Sequence, residues 1–232
     1  MISARSEFKL LDRGFDKTLL LIPGWATNYR IFSKLNCAGY NYLFVVSACL
    51  GSLLEDTRNF LEKSSIEKVS VLGYSLGGFI AKEFALRFPE KTEELFLVSI
   101  RKKYTEEEIN SVSELVRKNK TAFLIKFYKD CFCAQGCGFD WFKENLLETY
   151  LEKFETCELL EGLEYLSRSS ITPEDINRIG KVAIFNSRID NIAPFSEAQE
   201  LAVGSSLARF VALENSGHIP FLGGEFNEKF NG

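Results

Sequence analysis

Apolar and polar positions follow two rhythms along this chain. Short, mostly apolar runs of four or five residues fall at 18–22, 42–46, 69–73, 95–98, 182–186 and 210–213. Runs this short and this apolar predict strands buried on both faces. Between them, apolar residues return every three or four positions over 53–63, 76–88, 197–203 and 225–230, which predicts helices. Leu76, Ile80, Phe84 and Phe88 recur every four residues, Lys82, Glu83 and Arg87 fall on other faces, and Pro89 stops the helix. Residues 8–11 read as a hairpin partner at the N-terminal edge. Strands alternating with amphipathic helices predict an α/β fold, a mostly parallel sheet flanked by helices.

The alternation stops between residue 101 and about residue 179. The pattern there predicts helices over 106–118, 122–131, 141–154 and 158–168, with no clear strand. We therefore expect a core built from 1–100 and 180–232, with a helical cap, 101–179, inserted over one edge. Phe123, Phe127, Tyr128, Phe132, Phe139, Trp141 and Phe142 crowd this stretch. Most should pack the helices together. Phe123 and Phe127, with Trp25, are the candidates for lining a substrate pocket between cap and sheet.

Composition narrows the class without choosing within it. At 232 residues with a net charge of −4, the chain suits one domain of ample core and argues against nucleic-acid binding. No run approaches the roughly 18 apolar residues that span a bilayer, so no membrane partner is expected. The start of the chain is too polar for a secretory signal, which predicts a cytoplasmic protein, read as a monomer. Six cysteines fit a reduced compartment. Cys37, Cys49 and Cys157 read as small packing residues. Cys131, Cys133 and Cys137 cluster, but neither as a Cys-x-x-Cys pair nor near a histidine, so no metal site is expected.

The chemistry concentrates in a few positions. Gly73-Tyr74-Ser75-Leu76-Gly77 lies between a predicted strand and a predicted helix, the context of a nucleophile elbow. A serine hydroxyl needs a neighbouring base, and the chain holds a single histidine, His218. It follows the last predicted strand, in a loop. The base needs an orienting acid. Among Asp130, Asp140, Asp175 and Asp190, only Asp190 follows a predicted core strand, where parallel sheets gather functional groups. Ser75, Asp190 and His218 are thus the expected catalytic residues, in that order. An oxyanion hole needs two backbone N–H groups, expected from Leu76 and from Trp25 in the loop Pro23-Gly24-Trp25. No cofactor is required.

These residues resemble the α/β-hydrolase superfamily over essentially the whole chain. Within it, Pro23-Gly24-Trp25 with Asn28, Gly73-Tyr74-Ser75-Leu76-Gly77-Gly78, His218-Ile219-Pro220-Phe221 and the segment from Glu161 to Leu166 resemble the carboxylesterases of biotin synthesis. Pro23 departs from that pattern, standing where such enzymes often carry histidine. The resemblance implies a helical cap, the Ser75/Asp190/His218 triad, an oxyanion hole from Trp25 and Leu76, and a substrate that is the methyl ester of pimeloyl-acyl carrier protein. Carrier proteins are acidic, so Arg117, Lys118, Lys120, Lys126 and Lys129 are the candidates for a docking patch. Two other readings stay open: another ester, thioester, lactone or C–C bond as substrate, and a non-catalytic ligand receptor on the same fold.

Overall fold

The computed structural model describes residues 5–132 and 138–232. Cys133 and Cys137 lie outside the described residues. Seven strands form one sheet: β1 (Glu7–Leu11), β2 (Lys17–Ile22), β3 (Tyr40–Ser47), β4 (Val69–Tyr74), β5 (Thr92–Val98), β6 (Val182–Ser187) and β7 (Ala208–Leu213). Their order is β1-β3-β2-β4-β5-β6-β7, and every pairing is parallel except β1 with β3. The edge position expected for 8–11 is correct. The hairpin is not: β1 pairs with β3 instead of with its sequence neighbour β2. β2 is occupied on both sides by β3 and β4, so β1 cannot pair with it and adds to the outer edge of β3 instead.

The apolar runs are buried because helices cover both faces of the sheet. Every residue of β4 and β6 is buried. Leu19, Leu20 and Leu21 are fully inaccessible, each worth about 1.5–3 kcal/mol relative to an exposed position. Helix α1 (Leu53–Lys63) and helix α2 (Leu76–Arg87) lie together, and α2 packs on β4 and β5. Helix α2 is buried beyond the predicted Leu76–Phe88 stripe, because Phe79, Ala81 and Ala85 are inaccessible too. The opposite face is closed by aromatic packing: Phe226 and Phe230 of the last helix meet Phe185, and Phe230 meets Phe96.

Among the described residues, the stretch between β5 and β6 holds α3 (Glu106–Asp130), α4 (Phe139–Phe142), α5 (Glu148–Lys153), α6 (Thr156–Arg168) and α7 (Pro173–Ile179). An antiparallel bridge from Lys103 to Ser170 ties the two ends of this insertion together. The two helices expected over 106–118 and 122–131 are one helix kinked at Asn119, which has φ −161° and ψ 89°. The Asn119 side chain accepts the Ala122 N–H at 3.0 Å and so starts the second half. The single helix expected over 141–154 is broken by a π-helical stretch, Lys143–Leu147, between α4 and α5. Two helices complete the core: α8 (Phe195–Val203) against β6 and β7, and α9 (Glu225–Asn231) against β7.

Candidate active site

Three loops at the carboxyl ends of parallel strands converge. β4 runs into Ser75 and then directly into α2. Ser75 has φ +52° and ψ −117°, a strained backbone for a residue with a side chain. The strain is tolerated because strand and helix press together around it. A Cβ on Gly73 would lie 2.3 Å from the Gly77 carbonyl, and one on Gly77 would lie 2.3 Å from the Ile22 carbonyl. Glycine is required at both, as the motif implies. The Ser75 N–H continues the ladder by donating to Val98 O at 2.9 Å.

After β6, Asp190 sits in the turn that leads to α8. Its Oδ1 accepts the backbone N–H groups of Ile192 at 2.8 Å and Ala193 at 2.9 Å. An Asx turn is therefore present, and it orients the carboxylate. Asp190 Oδ2 lies 2.8 Å from His218 Nδ1, and His218 Nε2 lies 3.0 Å from Ser75 Oγ. An ionised carboxylate only accepts, so Nδ1 carries the proton and Nε2 is left to accept from the serine hydroxyl. The His218 and Asp190 side chains are almost wholly buried. The histidine loop is anchored from behind: Glu225 accepts from the Asn215 N–H at 3.0 Å and from Ser216 Oγ at 2.7 Å, and Ser187 Oγ donates to the Ser216 carbonyl.

Among the described residues, Asp190 is the one candidate aspartate hydrogen-bonded to His218. Asp175 forms a capping box with Thr172 at the start of α7. Asp130 pairs with Lys126, and Asp140 lies in the first turn of α4. Among the described residues, neither the Trp25 nor the Leu76 backbone N–H donates to a backbone acceptor.

Ser75 opens into a cavity of about 510 Å³ between sheet and insertion. Trp25, Phe123 and Phe127 all line it. Trp25 meets Phe127 edge-on at 5.1 Å, and Phe123 stacks on Phe127 at 6.2 Å. Sequence reading missed Tyr104, Ile109, Leu163, Leu166 and Ile192 on the same walls, and Arg101 beside them. Arg101 is neutralised by Glu108 at 2.9 Å and Glu197 at 3.2 Å, and its guanidinium lies over the Tyr104 ring. Burial pushes the Tyr104 hydroxyl above its ordinary pKa, keeping it protonated. No local signal marks these residues, because only the packing of the insertion on the sheet gathers them. Trp25 also lines a second cavity of about 380 Å³ with Pro23, Gly24, Leu76, Phe154 and Leu159.

The basic residues are spread along α3 and differ in their surroundings. Arg117 lies in a groove with Glu106, Glu161 and Glu164. Lys120 donates to the Phe154 carbonyl at 2.7 Å. The Asn119 kink separates Arg117 and Lys118 from Lys126 and Lys129, which are both exposed on the second half of α3. Cysteine expectations also divide. Cys37 is buried and Cys49 half-buried, whereas Cys157 is exposed in the first turn of α6 and is not a packing residue. Cys131 is buried near Asp190. Desolvation, reinforced by that negative charge, raises its thiol well above the usual pKa, so it is no competing nucleophile. Among the described residues no His, Cys, Asp or Glu cluster could hold a metal ion, and no helix is long and apolar enough to cross a membrane.

A mostly parallel sheet with a serine at a strained strand-to-helix turn defines a hydrolase of the α/β type. The family model described as alpha/beta hydrolase fold matches residues 33–152, just over half of the chain, and the chain belongs to that family. The chain is 25% identical to a pimeloyl-[acyl-carrier protein] methyl ester esterase from Aromatoleum aromaticum, over 88% of this chain and 92% of that protein. Among solved structures, a bromoperoxidase from Bacillus anthracis superposes with a TM-score of 0.80 at 19% identity, covering 97% of this chain and 94% of that one. An esterase from Exiguobacterium antarcticum superposes with a TM-score of 0.76 at 18% identity, covering 92% and 89%. These structural likenesses establish the fold.

Proposed function

We propose that the protein is a serine carboxylesterase acting through an acyl-enzyme. The observation that carries this reading is the hydrogen-bonded chain from Asp190 through His218 to Ser75, set beside a cavity. Ser75 Oγ attacks the ester carbonyl while His218 Nε2 takes its proton. Asp190 holds the imidazole and stabilises its charged form. The N–H groups of Trp25 and Leu76 receive the developing oxyanion. Collapse of the tetrahedral intermediate expels the alcohol, which takes the proton from His218. Water, deprotonated by His218, then attacks the acyl-enzyme. The acid leaves and Ser75 regains its proton.

The cavity favours an aliphatic acyl chain, because Trp25, Phe123, Phe127, Ile109 and Leu163 offer apolar surface and Arg101 is already paired. The name of the relative from Aromatoleum supports the finer reading that the substrate is the methyl ester of pimeloyl-acyl carrier protein. We place this hydrolysis in biotin synthesis, in the cytoplasm. The inserted helices are then a cap, and Lys126, which lines the cavity and pairs with Asp130, and the exposed Lys129 on the same helix receive the acidic carrier. The test is growth of a biotin-requiring strain lacking its own esterase, with Ser75→Ala as control. Rescue by the wild-type chain alone is expected. If the purified enzyme hydrolyses small esters but no rescue occurs, the esterase stands and the pimeloyl substrate falls.

A further inference from the structure

The loop meant to stabilise the oxyanion takes its side-chain fixing bonds from the inserted helices. Its own turn is closed by Thr27, whose N–H and Oγ1 both donate to the Gly24 carbonyl, at 3.2 and 2.9 Å. The third residue of that turn, Ala26, has φ +54°, a conformation costly for a residue with a side chain. Tyr128 of α3, with no exposed surface, donates its hydroxyl to the Ala26 carbonyl at 2.5 Å. Tyr150 of α5, also inaccessible, has its hydroxyl 3.1 Å from Asn28 Oδ1. Trp25 Nε1 donates to the Leu159 carbonyl at 2.8 Å, and the indole lies against Gly162, where a Cβ would come within 2.7 Å of it. One turn beyond Tyr128, the Cys131 carbonyl accepts the His218 N–H at 2.7 Å. The end of α3 thus touches the loop that carries the Trp25 donor and the loop that carries the base.

We infer that Tyr128 is a positioning residue: by pinning Ala26 in its strained conformation it aims the Trp25 N–H at the oxyanion, with Tyr150 as a second clamp at Asn28. This inference rests on the esterase reading above. Its physical basis is that an oxyanion donor acts through alignment with charge present only in the transition state. Without the Tyr128 hydroxyl, the buried Ala26 carbonyl loses its partner and the turn is released from the conformation that Tyr128 enforces. Ground-state binding in the cavity, by apolar walls, is untouched.

The test compares wild type, Ser75→Ala, Tyr128→Phe and Tyr150→Phe on p-nitrophenyl butyrate, with thermal melting of each. A trifluoromethyl ketone, which forms an anionic hemiketal with the serine, serves as the oxyanion probe. Tyr128→Phe should lower kcat by about 10- to 100-fold with KM within about twofold, as expected for misplaced catalytic groups. Its affinity for the ketone should fall in step. Tyr150→Phe should do the same more weakly, by about 3- to 10-fold. A folded Tyr128→Phe enzyme with unchanged kcat, or with raised KM at unchanged kcat, would overturn the inference and leave Tyr128 as a wall of the core. If Tyr128→Phe fails to fold, Tyr150→Phe decides by the same split. If wild type is no more active than Ser75→Ala, it is the esterase reading that fails.

Discussion

The sheet core and the inserted helices divide the work differently. In the core, Ser75, Asp190 and His218 each follow a parallel strand, and their spacing is set by the backbone ladder of β4 through β7. Few side-chain choices are needed to bring them together, because strand order alone places their loops at one edge. The insertion works through side chains: aromatic rings that wall the cavity, hydroxyls that reach the Gly24–Asn28 turn, and charges on solvent-facing helices. Chemistry placed on strand ends tolerates change in the helices above it. Selectivity and fine alignment, built from helix side chains, do not.

Variants of the core should therefore produce the largest losses. Ser75→Ala or His218→Ala is expected to lower kcat by at least about a thousandfold while leaving the fold intact, measured by ester hydrolysis and thermal melting. Asp190→Asn should follow at about 10³–10⁴-fold, since the imidazole loses the acceptor that fixes its tautomer. Asp130→Asn and Asp140→Asn should cost far less, and an essential Asp130 beside an active Asp190→Asn would reverse the assignment. In the insertion, Phe127→Ala should raise KM for octanoyl esters about tenfold and barely alter acetyl esters, the scale of one lost apolar contact surface. Equal effects on both chain lengths would remove Phe127 from the acyl pocket. The smallest expected effect is at Lys126 and Lys129. Changing both to Glu should lower kcat/KM about 3- to 10-fold on a carrier-bound ester only, and added salt should act in the same direction. Identical behaviour on a free ester would take the carrier protein out of the account.

The same division explains what the sequence revealed. Six strands and the elbow were legible because buried parallel strands and a glycine-flanked serine leave local patterns. The placement of Asp190 beside His218 was legible from the predicted strand before it, and Asp175 is tied into an α7 cap. The pairing of β1 was not legible, because antiparallel addition to β3 depends on which strand edge the rest of the sheet leaves free. The roles of Tyr128 and Tyr150 were hidden among core aromatics, since nothing local says whose carbonyl a buried hydroxyl will meet. The kink at Asn119, among the basic residues of α3, has no strong sequence signal.

The central claim is that Ser75 is a nucleophile activated by His218. The direct measurement is intact-protein and peptide mass spectrometry after exposure to a fluorophosphonate, on wild type and on His218→Ala. One adduct is expected, on Ser75, formed rapidly in wild type and slower by orders of magnitude in His218→Ala. Labelling at another residue, or equal rates in the two proteins, would contradict it.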